Sequence, residues 1–346
     1  MSEVGRMKTE TANPRLSSIR HVSSFSRWPH RLAVVTACAT FLLLFIGGLV
    51  TSKGAGLAVP DWPTTFGHNM FLYPWSKMVG NIFYEHSHRL VASAVGLLTI
   101  ALTLTFWFHE RRHWLRWLGI AALGLVILQG VIGGLRVVLL EHTLAILHAA
   151  LAQAFFALTV SLAIFTSREW DRESSERPNP PFIPLLQRGK EGDFALLDGG
   201  RLCRLCAIIT TGLLYVQAIF GAVLRHTGER LDAHLLFAGL VTLHVIFIVL
   251  RVTRSHRDQP KLARPVWFLG ILLVLQLMLG VASYLAKFTS LLQLPSTMVV
   301  FLTTIHLVIG ALMLVTSLLL TLRTFRLSPL PNASVGREPL RERFSV

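Results

Sequence analysis

A chain of 346 residues that is 53% hydrophobic and only 15% charged, with a mean hydropathy of +0.57, is too apolar for a set of soluble domains and reads as a membrane protein. Its formal charge of +15 would suit a nucleic-acid partner, but the placement of the charge excludes that reading. Of 33 Lys and Arg, 26 lie in the terminal tails and the connections near 109–116, 166–204 and 251–264. The other seven, Lys53, Lys77, Arg89, Arg136, Arg225, Arg230 and Lys287, occupy the alternate connections. This positive-inside asymmetry predicts both termini in the cytoplasm or matrix.

Runs long enough to cross a bilayer, about 20 apolar residues each, appear at roughly 31–51, 87–108, 115–137, 143–165, 203–224, 234–252, 265–285 and 298–322. The expected fold is an all-α polytopic membrane protein of eight transmembrane helices. Its domains are a tail over 1–30, a first four-helix half over 31–166, an inner charged linker over 167–201, a second half over 202–322 and a tail over 323–346. The first tail is Arg- and Ser-rich like a transit peptide but carries Glu3 and Glu10, so a cytoplasmic tail fits equally. After the first helix, Gly54-Ala55-Gly56-Leu57 and Pro60-Asp61-Trp62-Pro63 forbid helix. They open an outer loop, 52–85, with Trp62, Phe66, Phe71, Tyr73 and Trp75. These aromatics suit an interface belt or a lid over an apolar ligand.

The second helix opens on Glu85-His86-Ser87-His88-Arg89. Ionisable groups are costly in lipid, so an intramembrane His marks a candidate site, and Glu85 shares a helical face with His88. The third helix carries Gln129-x-x-x-Gly133, and the fourth His142 and His148. The linker 167–201 is charged and Pro-rich, as a solvated connection would be.

Beyond the linker the pattern returns. Gln217-x-x-x-Gly221 lies on the fifth helix, His234-x-Leu236-x-Ala238 matches His88-x-Leu90-x-Ala92, Gln276-x-x-x-Gly280 matches Gln129-x-x-x-Gly133, and His306 aligns with His148. The offsets are 146 for the first histidines and 147 for the glutamines, so two helices keep one register. Four helices per unit make a parallel repeat. His88, His148, His234 and His306 then fall at similar depth toward the outer side. Paired histidines on facing apolar helices are what bis-imidazole haem ligation needs, whereas zinc would want Cys or carboxylate company. Two haem sites follow, one per half. The second half has Leu231 where the first has Glu85, and a short connection of about nine residues where the first has its long aromatic loop. Chemistry is expected there and electron transfer in the second half.

The remaining histidines carry weaker readings. His21, His30, His109, His113 and His256 are expected in solvent at the inner ends, His244 packed or hydrogen-bonded, His68 in the loop, and His86, His142 and His226 at the outer boundary. Three cysteines make no disulfide framework: Cys38 lies in the first helix, and Cys203-x-x-Cys206 reads as reduced thiols.

With these residues in place, the chain resembles the haem A synthase family across nearly all of its membrane portion. The matching stretches are Gly47-Gly48-Leu49-Val50, Gly54-Ala55-Gly56-Leu57 with Pro60-Asp61-Trp62-Pro63, Glu85-x-x-His88-Arg89 and the later histidines. The resemblance implies oxidation of a methyl of haem O to a formyl group, giving haem A for cytochrome oxidase. It implies haem b on His234 and His306, the substrate haem on His88 and His148, and a catalytic Glu85. It also implies a haem O synthase nearby, an electron donor such as ferredoxin or quinol, cytochrome oxidase assembly factors and a bacterial cytoplasmic membrane rather than a mitochondrial one, with homo-oligomers left open. Many members carry a cysteine pair in the first outer loop; residues 52–85 contain no Cys, which removes a redox role for this loop. Two histidines on the substrate iron leave no axial place for O2, so either one departs or the methyl is oxidised at the porphyrin edge with water as oxygen source. The alternative in another class is a di-haem cytochrome that passes electrons from quinol to a partner.

Overall fold

A computed structural model describes residues 28–175, 199–255 and 259–327. Most of both tails, the middle of the linker, His21 and His256 lie outside the described residues. Nine helices are described: α1 Trp28–Ser52, α2 Asn81–His109, α3 His113–Leu139, α4 His142–Phe165, α5 Arg168–Ser175, α6 Gly199–Thr227, α7 Leu231–Ser255, α8 Pro260–Phe288 and α9 Ser296–Leu327. All except the eight-residue α5 are long and apolar enough to span a membrane. Many large apolar side chains, among them Leu97, Phe108, Ile127, Leu243, Ile271 and Met278, face outward. A soluble protein rarely tolerates such a surface, and lipid requires one.

Helices α1 to α4 close into one group, with α1 against α2 and α4 and with α3 between them. Helices α6 to α9 close likewise, α6 against α7 and α9. Each group has its own core: Val95, Leu102, Phe106, Leu115, Ala122 and Leu162 in the first, Val241, Val245, Leu269, Leu272 and Met313 in the second. Phe156, Ala311 and Val315 with Phe41 and Leu44 fill the seam, where α1 and α4 meet α9 and α6. Small residues permit close approach of backbones in lipid: Thr103 donates to the Gly119 carbonyl at 2.9 Å across α2 and α3.

Two boundaries differ from the sequence expectation. Helix α2 begins at Asn81 because Gly80, at φ +57°, turns the chain in, so Glu85 and His88 lie within the helix rather than at its mouth. The connection expected to take about nine residues between α6 and α7 takes three, with Gly228 and Arg230 at positive φ. The start of the inner connection forms α5. Asp171 there pairs with Arg112 at 2.7 Å, Glu169 reaches Lys261 and Arg323, and Arg326 lies over Trp170 at 4.6 Å. Burial raises the Asp171 carboxyl above its ordinary value despite the Arg112 guanidinium.

Candidate functional site

The loop between α1 and α2 is folded onto the outer end of the first group. Arg89 is its pivot. One guanidinium nitrogen donates to the carbonyls of Asp61 (2.7 Å) and Thr64 (3.0 Å), the other to Val59 (2.9 Å) and to Glu85 Oε1 (2.9 Å). Glu85 Oε2 accepts the Val59 N–H at 2.9 Å. The sequence pairs Glu85 with His88 on one helical face; in the structure its partner is Arg89, whose charge a carboxylate prefers to a neutral ring. Both carboxylate oxygens are therefore engaged. His86, expected at the boundary, is buried beneath the loop with Nδ1 3.2 Å from the Thr65 hydroxyl and its ring 5.2 Å from that of Tyr73.

Further along, Arg136 donates to the Gly56 carbonyl at 3.0 Å, and the Trp62 indole lies so close over Gly134 that no side chain fits there. The lid reading of the loop thus acquires a physical basis: Ala55 and Val59 are fully buried, while Trp75 and Leu72 remain exposed. Asp61 caps the turn, accepting from the Phe66 and Gly67 N–H groups at 2.8 and 2.9 Å and from the Thr64 hydroxyl. Burial opposes its ionisation, but these donors outweigh burial and hold its carboxyl at about 2, below the usual 3.8. A depressed carboxyl stabilises the fold above its unfolded value and stops doing so as pH falls through the folded one. The turn should therefore stay closed from neutral pH to about 4 and open between 3.8 and 2. Pepsin cleavage within 61–67 across that range measures it, and Asp61→Asn should be open throughout.

The four histidines recur in one arrangement. They lie at the eighth residue of α2, the seventh of α4, the fourth of α7 and the eleventh of α9, within about 15 Å of helix ends on one side at 1.5 Å per residue. Each faces a glycine of the preceding helix. A Cβ at Gly47 would stand 3.0 Å from His88 Cε1, at Gly133 2.9 Å from His148, at Gly221 3.4 Å from His234 and at Gly280 3.1 Å from His306. The sequence reading noted three of these glycines through Gln-x-x-x-Gly but not their purpose. The glycines let a bulky ring lie flush on a helix backbone.

The glutamines serve the rings differently. Gln217 lies 3.2 Å from His234 Nδ1, and Gln276 lies 3.4 Å from His306 Nε2. Gln129 instead donates to the His148 carbonyl at 3.1 Å. The Nδ1 atoms of His88, His148 and His306 are buried without a hydrogen-bond partner, a costly state for polar atoms in lipid. His234 and His306 stand with ring centroids 6.3 Å apart. Two imidazoles each about 2 Å from one metal would place their ring centres roughly 6 Å apart, so this pair suits axial ligation of a single iron. Among the described residues no three His, Cys, Asp or Glu side chains converge on one point.

Other histidines divide. His244 Nδ1 donates to Leu240 O at 3.0 Å within its own helix, as expected of a hydrogen-bonded His. His30, expected in solvent, instead reaches Ala163 O at 3.1 Å and joins α1 to α4, because α1 begins three residues earlier than its apolar run. His109, His113, His142 and His68 are exposed. The cysteines are free, Cys203 buried and Cys38 exposed.

Residues 30–233 match the COX15-CtaA family model, described as cytochrome oxidase assembly protein. Three bacterial proteins named heme A synthase are similar. That of Shouchella clausii is 29% identical over 204 residues, 58% of this chain and 60% of its own length. That of Alkalihalophilus pseudofirmus is 30% identical over 150 residues, 42% and 48% of the two chains. That of Bacillus licheniformis is 28% identical over 205 residues, 58% and 59%. The chain thus spans about half to three fifths of the length of these relatives. The family match contains Glu85, His88 and His148 and ends one residue before His234.

Proposed function

The chain belongs to the COX15-CtaA family of cytochrome oxidase assembly proteins, and from that premise we propose that it is a haem A synthase, an integral membrane oxidoreductase that turns a methyl group of haem O into the formyl group of haem A. The observation that carries this reading is the fourfold histidine–glycine arrangement, two histidines in each four-helix group. His88 and His148 would hold the substrate haem, and His234 and His306 a resident haem b. Iron held by two imidazoles supplies one-electron redox chemistry.

The protein's own residues supply position and proton handling. Oxidising a methyl to a formyl with water as oxygen source releases four protons and four electrons per product, so a proton acceptor must stand near the reacting edge. Glu85 is the carboxylate three residues before His88 on the same helix. With Oε1 on Arg89 and Oε2 on the Val59 N–H, taking a proton removes the charge that pairs with Arg89 and weakens both bonds. Proton uptake is thereby linked to the loop that both donors hold. Trp62 on Gly134 and the buried Ala55 and Val59 help to keep bulk water from this end of the group. The second group has Leu231 where the first has Glu85 and only three residues between α6 and α7, in keeping with electron transfer there. Haem O, too apolar to cross water unaided, would be received from a membrane-embedded haem O synthase, and the four electrons of this route would leave to an oxidised redox partner.

The test is acid-acetone extraction and mass-resolved chromatography of haems from the protein expressed with and without a haem O-producing partner. Haem A or its alcohol precursor is expected only with the partner. Haem b alone in both cases would leave an electron-transfer cytochrome.

A further inference from the structure

Arg225 lies near the outer end of α6, in the second group, yet its guanidinium reaches across the seam. It donates to the Gly48 carbonyl at 2.6 Å and to the Ser52 hydroxyl of α1. Ser52 is in turn 3.0 Å from the hydroxyls of Thr303 and Thr304 on α9, three and two residues before His306. Gly48 itself abuts the Thr304 methyl. One cation therefore touches the strand of residues that links Gly47, opposite His88, to Thr304, beside His306.

This cation is incompletely satisfied. Its Nε is buried without a hydrogen-bond partner. Among the described residues no Asp or Glu pairs with it, whereas Arg89, Arg112 and Arg323 all have carboxylate partners. Its charged neighbours are of like sign: Lys287 and Arg225 feel each other's charge, and His226 lies in the fields of both Arg225 and Arg136. A buried guanidinium on neutral acceptors alone is an unfavourable arrangement. An anion that arrives with a ligand resolves it. Arg136 repeats the situation in the first group. It donates only to Gly56 O, and its charge acts on His88 and His148, as that of Arg225 acts on His306. Glu85, whose charge acts on Arg136, is already paired with Arg89.

We infer that Arg225 is an anion anchor that receives a carboxylate side chain of the tetrapyrrole held by His234 and His306, and that Arg136 does the same for the tetrapyrrole held by His88 and His148. The inference rests on the haem reading of the two histidine pairs. Free haem carries two carboxylates on the ring edge away from its apolar substituents. The histidines fix the iron and the arginines fix which edge faces the outer surface. In the first group this sets which methyl is presented for oxidation. Because Arg225 also bonds to α1, occupation of the second site tightens the seam between the groups.

The unaltered full-length chain in lipid nanodiscs can be loaded with haem b or with haem b dimethyl ester, which has the same ring and iron but no carboxylate charge. Transfer of each to excess apomyoglobin gives its rate of loss. The expected result is a low-spin bis-imidazole spectrum with both and at least tenfold faster loss of the ester, the size seen when one partner of a buried charge pair is removed. In Arg225→Gln the two rates at the second site should converge and its midpoint potential should fall, while Arg225→Lys keeps most of the difference. Equal loss of acid and ester from the unaltered protein overturns the anchor, whatever the variants do. Persistence of the tenfold gap at the second site in Arg225→Gln overturns the assignment to Arg225. Absence of any low-spin spectrum with either ring would instead remove the haem reading itself.

Discussion

If the proposed function holds, replacing Glu85 by Gln should lower haem A formation by about 10² to 10⁴-fold, the usual contribution of a positioned proton acceptor, with no loss of haem from the second group. Gln preserves the shape of the side chain and can still accept from the Val59 N–H, so the loop should remain docked. Glu85→Ala removes more. Both variants lose the charge that pairs with Arg89, at about 3–5 kcal/mol for side chains only 10% and 5% exposed, and Ala loses the hydrogen-bond acceptor as well. The Val59 N–H, left without an acceptor, adds about 1–3 kcal/mol. Together these exceed what the remaining carbonyl bonds of Arg89 would hold, and the loop should lift. Trypsin cleavage at Lys53 and Lys77 then reports the difference: protected in Glu85→Gln, rapid in Glu85→Ala. Full turnover in Glu85→Gln with a protected loop would make Glu85 a staple of the lid and nothing more.

The contrast between the two variants shows where sequence reading reached and where it stopped. Eight spans were legible because lipid demands about 20 apolar residues and nothing else in the chain satisfies that demand. His88, His148, His234 and His306 were legible because ionisable groups are rare in such runs and because they recur in register. The partner of Glu85 was not. Helical spacing puts both His88 and Arg89 within reach, and the choice is made by the carbonyls of Val59, Asp61 and Thr64, which only the folded loop brings to Arg89. Arg225 was equally hidden. In the sequence it is one of seven cations on the outer side, and its contact with α1 depends on how the two groups meet. His30 was misplaced in solvent because a basic, Pro-flanked start of helix resembles a tail until α4 is packed against it.

The glycines facing the histidines lead to the second large effect, because they should separate the two groups. A methyl at Gly133 would stand 2.9 Å from His148 Cε1, closer than side chains tolerate. The neighbour is a flat ring on a helix, with no flexible end to swing aside. Gly133→Ala should thus push the imidazole off its axis, at about 1–3 kcal/mol for overpacking, or roughly tenfold or more in affinity for the first-group haem. Gly280→Ala, at 3.1 Å from His306, should act on haem b in the same way and leave the first group intact. Gly221→Ala, at 3.4 Å from His234, is ordinary contact and should be nearly silent. The pyridine haemochrome content of the purified variants, resolved by haem type, measures all three. Loss of both haems from every glycine variant would mean that the positions serve helix packing in general. Loss graded by distance and confined to one group would mean that each glycine exists to seat the imidazole it faces.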